Sequence, residues 1–126
     1  MTRKVEDLTD AELDVLVAER VKGWQLNSMN VWDGSWAGAD CHWQAGLFPP
    51  WQPSTDIACA FQVDKPEWEW AFFEYPTRKY LIVKLWLGKV GFCHTRLPLD
   101  PTNKTSAYCR GRCIAACYAC GVTEVE

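Results

Sequence analysis

The chain has 126 residues, 48% of them hydrophobic, which is enough for one compact domain with its own core and too little for two. A net charge of −3 and a pI near 5.4 argue against wholesale binding to long nucleic acid or an anionic membrane, although a local basic patch is compatible with an acidic total. No apolar run approaches the ~18 residues needed to span a bilayer and the N-terminal segment has no apolar signal core, so the expected location is cytosolic.

Thr9 through Val21 carries every local mark of a helix. Thr9 can cap, Glu12 completes a capping box, and Leu8 with Leu13 forms a hydrophobic staple. Leu13, Leu16, Val17 and Val21 recur at helical spacing and Gly23 ends the run. From about residue 24 to 53 the pattern breaks into Asn, Gly, Pro and Trp. Five of the eight tryptophans (Trp24, Trp32, Trp36, Trp43, Trp51) fall in this loop, with short extended pieces expected around Gln25 to Leu26 and Trp43 to Gln44. Ser54 is expected to cap a second helix whose buried face is Ile57, Ala58 and Phe61, with Ala60 as a further candidate, closed by Pro66.

Three strands follow. Trp68, Trp70 and Phe72 alternate with Glu67, Glu69 and Ala71. Tyr80 to Leu87 places Leu81, Val83, Leu85 and Leu87 on one side and Tyr80, Ile82, Lys84 and Trp86 on the other, largely apolar on both, which implies cover on both faces. Gly88-Lys89 fits a two-residue turn, which would set Leu87 against Val90, Leu85 against Phe92 and Val83 against His94. A last helix is expected from Thr105 or Ser106 to Cys120, stopped by Gly121. The fold class is therefore α+β: a single domain, 1–126, with a small antiparallel sheet of about three to five strands sandwiched between helices in the order α-loop-α-β-β-β-α.

Seven cysteines without a secretory signal do not read as a disulfide framework. Cys109, Cys113, Cys117 and Cys120 form one stripe on the last helix. Cys109 and Cys120 would lie about 16 Å apart along its axis at ~1.5 Å per residue, too far to share one metal, so close packing is the expected role and no metal or cofactor is expected. His42 and His94 are the only histidines, and no nucleophile, base and orienting acid share a motif. A binding protein rather than an enzyme is expected.

Positive charge gathers at the start of the last helix in Lys104, Arg110 and Arg112, beside Thr105 and Ser106. A helix N-terminus already offers free amides and partial positive charge, so an anion would satisfy this cluster; the alternative is that nearby acids supply the counter-charge. Arg78 and Lys79 can add to the patch from a loop. Together with rigid aromatics these are the ingredients of a nucleotide pocket, while most of the indoles, at least five of the eight, are expected to fill the core.

The stretch from Asp10 to Trp24 with its Gly23-Trp24 ending, Pro53-Ser54-Thr55-Asp56-Ile57-Ala58, the Trp-rich strand and the Ala/Cys helix from Cys109 to Ala119 resemble the small phage proteins of the ABA-sandwich domain family. This chain departs from them in its Trp-rich insert between Asn27 and Pro50 and in Arg110-Gly111-Arg112. More loosely, it resembles the phage anti-defence proteins that counter Thoeris immunity by sequestering cyclic ADP-ribose signals. That resemblance implies a homo-oligomeric sponge in the host cytoplasm, with Lys104, Thr105 and Arg110 on the phosphates of a small nucleotide signal; Arg78 and Arg112 join them from the basic patch itself, and Trp36 and Trp43 are the candidates from the Trp-rich loop to stack on the base. The alternative is a phage inhibitor that blocks a host defence protein by direct contact through a Trp-rich surface.

Overall fold

The computed structural model describes residues 2–23, 52–89 and 91–125, together with the backbone of 25–26, 31–33 and 42–44. The protein is α+β, with three helices and antiparallel sheets among the described residues. Strand β1 (Arg3–Lys4) leads through a 3-10 turn, Val5–Asp7, into α1 (Asp10–Leu16), which continues as a π-helix over Val17–Val21. The capping box at α1 is complete: Thr9 Oγ1 accepts from the Glu12 amide, and the Glu12 carboxylate accepts from the Thr9 amide at 3.1 Å. Leu8, Leu13, Leu16, Val17 and Val21 are all buried, and Gly23 takes φ 71 at the end of the run.

Strands β2 (Gln25–Leu26), β3 (Val31–Asp33) and β4 (His42–Gln44) form an antiparallel three-stranded sheet within the Trp-rich stretch, with Trp32 opposite Trp43. The two expected extended pieces are there, and β3 joins them. The burial expected of Trp24, Trp32, Trp36, Trp43 and Trp51 falls outside the described residues.

Helix α2 (Ile57–Ala60) is a single turn and starts later than its sequence implied. Asp56 caps it, accepting from the amides of Ala58 and Cys59, while Ser54 is buried and tied to α1 instead. Moving the cap by two residues rotates the helix by about 200°, at 3.6 residues per turn. Ala60 is buried as the sequence allowed, Cys59 and Val63 join it in the core, and Ile57, Ala58 and Phe61 stay exposed.

Strands β5 (Trp68–Tyr75), β6 (Tyr80–Leu87) and β7 (Phe92–Pro98) form the main sheet, in that order. Leu81, Val83 and Leu85 are buried on one face, as alternation predicts. The β6–β7 register differs by one residue from the expectation: Leu85 pairs with Cys93, Trp86 with Phe92 and Lys84 with His94. The connection is one residue longer, because the Leu87 amide donates to the Gly91 carbonyl and Gly91 sits at φ 129, open to glycine. A slip of one residue exchanges the faces. Cys93, Thr95 and Leu97 thus turn towards the helices, and Phe92, His94 and Arg96 lie on the opposite face with Tyr80, Ile82, Lys84 and Trp86.

Helix α3 (Lys104–Ala119) lies across the helix-facing side of β6 and β7, and α1, its π-helical extension and α2 pack against α3 in turn. Buried from both directions, α3 has no polar face along its middle: residues 111–117 are all buried. Gly111 marks the closest approach, since a Cβ there would come within 2.6 Å of a Val83 methyl and 2.8 Å of a Leu97 methyl. Strand β8 (Glu124–Val125) returns to pair with β1. No helix among the described residues is long and apolar enough to cross a membrane.

Candidate functional site

The thiols of α3 pack. Cys109, Cys113 and Cys117 are fully buried, and burial pushes Cys109 up to about 11, Cys117 up to about 12 and Cys113 well above its ordinary value. A thiol held protonated at neutral pH is neither a ready ligand nor a nucleophile. Cys93 donates to the Ala115 carbonyl at 3.4 Å. Among the described residues no three His, Cys, Asp or Glu side chains are grouped to hold a metal ion.

The basic residues around the start of α3 do not converge. Successive residues on a helix turn by about 100°, so Arg110 and Arg112 point in nearly opposite directions. Lys104 faces Glu74, with Nζ 3.5 Å from the carboxylate, and Tyr108 donates to the same Glu74 at 2.9 Å. Arg112, 8% exposed, lies 4.2 Å over the Trp70 ring, donates from Nε to the Val63 carbonyl at 3.2 Å and pairs with Asp64 at 3.6 Å. Its role is to tie α3 to the end of α2 and to β5. Arg110 pairs with Asp10 at 2.9 Å and donates to the carbonyls of Glu6 and Leu8, clamping α3 to the N-terminal segment. Each of these three cations therefore has its own carboxylate, the alternative that the sequence left open.

A different set of residues does share a cavity. Between the first half of α3 and the edge strand β7 lies a hollow of about 370 Å³, within the ~300–1,000 Å³ range of small-molecule sites. Asn103, Ser106 and Arg110 supply its donors, Asp100 and Glu6 its carboxylates, and Ile114 and Ala107 an apolar floor; Arg96 borders it, with its guanidinium 4.0 Å over the Tyr80 ring. Asn103 occupies the N-cap of α3 but makes no side-chain cap bond, so the first-turn amides lack that partner.

Of the expected site residues that are described, Arg110 alone lines this cavity. Ser106 takes the place expected of Thr105, which is exposed on the first turn. Lys104 and Arg112 point elsewhere. Arg78 is exposed in the β5–β6 turn and is not part of the lining. Trp36 lies outside the described residues, and Trp43 is described only as backbone in β4.

Arg96 and Asn103 were not anticipated, and Ser106 was read only as a neighbour of the basic cluster. No family model, curated protein or solved structure matches the chain.

Proposed function

We propose that this is a non-enzymatic binding protein that captures a small phosphate-bearing nucleotide in the cavity beside α3. The observation that carries the proposal is the cavity itself, where the Arg110 side chain, the Ser106 hydroxyl and a helix start without a side-chain cap meet over an apolar floor, with Arg96 on its border. Arg96 and Arg110 are suited to phosphate oxygens, and Asp100 and Glu6 to ribose hydroxyls. The resemblance to phage ABA-sandwich and Thoeris-countering proteins directs the choice of ligand. It favours a cyclic nucleotide or cyclic ADP-ribose immune signal, sequestered in the host cytoplasm by a phage-encoded homo-oligomer. The site so proposed uses Arg96, Ser106 and Arg110 in place of the wider set Lys104, Thr105, Arg78 and Arg112.

Thermal unfolding against a panel of cyclic nucleotides and cyclic ADP-ribose isomers tests the proposal, because a ligand that binds only the folded state raises the apparent stability. One ligand class should raise the midpoint by several degrees. The shift should be lost in Arg96→Ala and Ser106→Ala, which spare the Arg110 clamp, and the ligand should be recovered unaltered after heat release. A flat panel at ligand well above protein concentration overturns the proposal and leaves direct contact with a host defence protein as the reading to pursue.

A further inference from the structure

The face of the main sheet turned away from α3 is aromatic and basic. It presents Phe73 and Tyr75 from β5, Tyr80, Ile82, Lys84 and Trp86 from β6, and Phe92, His94 and Arg96 from β7. Phe92 is 55% exposed, Phe73 41% and Tyr75 38%, an unusual concentration of large apolar groups in water. The rings form two groups, one at each end of β6. Trp86 and Phe92 have centroids 6.1 Å apart, Phe92 and His94 lie at the same separation, and Tyr75 stacks on Tyr80 at 4.6 Å.

The charges on this face are distinctive too. Lys84 Nζ sits between two rings, 5.3 Å from the centre of Phe73 and 6.0 Å from that of Phe92, and the Arg96 guanidinium lies 4.0 Å over Tyr80. Among the described residues neither cation has a carboxylate partner, in contrast to Arg3, Lys104, Arg110 and Arg112. Strand alternation puts Glu69 at one corner of this face and turns Glu74 to the other side. An acidic molecule has thus gathered flat rings and uncompensated positive charge on one surface.

From this we infer that the open sheet face binds single-stranded nucleic acid, with bases stacked on the rings of Phe92, Trp86 and Phe73 and phosphates drawn to Lys84 and Arg96. Rings supply sequence-tolerant stacking, since every base has a π-face, and the interleaved cations track the backbone. A second copy of the chain fits less well, because pairing two such faces would bury Lys84 and Arg96 of both copies with few acids to meet them.

Fluorescence anisotropy of the full chain with a labelled twelve-nucleotide oligo(dT) and the matching oligo(U) tests the inference. With two phosphates neutralised, binding should be micromolar and the slope of log K against log salt about −1.4, falling to about −0.7 in Lys84→Ala. Phe92→Ala, at an exposed position, should weaken binding about 5- to 100-fold with an unchanged circular dichroism spectrum. Val15→Ser on the exposed side of α1 should leave binding unaltered. Arg96 borders both surfaces, but Lys84 and Phe92 do not line the cavity beside α3, so loss in their variants is separable from failure of the nucleotide site. No binding to either oligomer at 50 mM salt overturns the inference. So does a dimer in sedimentation that Phe92→Ala dissociates, which would give the face to a second copy.

Discussion

Asp14 is a carboxylate on the inner side of α1, 8% exposed, accepting from the Ser54 amide at 2.8 Å. Burial is the largest influence on it and lifts it from 3.8 to about 6, against the lowering effect of the Ser54 bonds. Below pH about 4 the group is protonated in both the folded and the unfolded chain and costs the fold nothing. As pH rises through 6 the folded protein must hold a buried charge, so the contribution of Asp14 to stability falls with rising pH, by roughly 1–2 kcal/mol once solvent screening is allowed for. Asp14→Asn keeps an acceptor for Ser54 and removes the charge. Urea midpoints at pH 4.5 and 7.5 should show the variant gaining on the wild type at the higher pH. An equal difference at both pH values would mean that Asp14 ionises without cost.

At the scale of elements, the contact between α3 and the sheet depends on the missing side chain of Gly111. Alanine is the better helix former by about 1 kcal/mol, so helix propensity alone favours Gly111→Ala. Packing opposes it, because the new Cβ would meet Val83, a stiff β-branched side chain on the central strand, and Leu97 on β7. The overlap should dominate, with a net loss of about 1–2 kcal/mol in denaturant unfolding. A stabilised variant would show that the helix can shift outward freely.

The same contact shows why part of the fold was legible in the sequence and part was not. The capping box of α1 and the alternation of β6 are local patterns, complete within a few residues, and both are present as read. Gly111 looks like an interruption of an apolar helix until the strand beneath it is known. The β7 register turned on a single extra residue in a glycine-flanked turn, which exchanges the faces of Phe92 and His94. The basic cluster around α3 was close along the chain but not in space. Turning each residue by 100° would already have separated Arg110 from Arg112.

For the whole molecule, α3 is the element on which the others meet: the sheet covers one side and α1 and α2 the other. Amides in its middle, such as Ala115 and Ala116, can exchange with solvent only when both layers separate, which is global unfolding. Native-state hydrogen exchange should therefore give these amides the full unfolding free energy. Amides in the single turn of α2, with Ile57 and Phe61 exposed beside it, should open at lower cost. Equal protection in both would indicate one indivisible unit instead.

The position of α3 in the chain also orders events at the ribosome. Residues 104–119 emerge after α1 and all three strands of the main sheet, so Leu81, Val83 and Leu85 have no helix to cover them while the earlier part is already outside the tunnel. A nascent chain halted before Lys104 would show water both the apolar sheet face and the inner side of α1. The protein should be most prone to aggregation and most dependent on chaperones in that interval, and burial should come late and all at once.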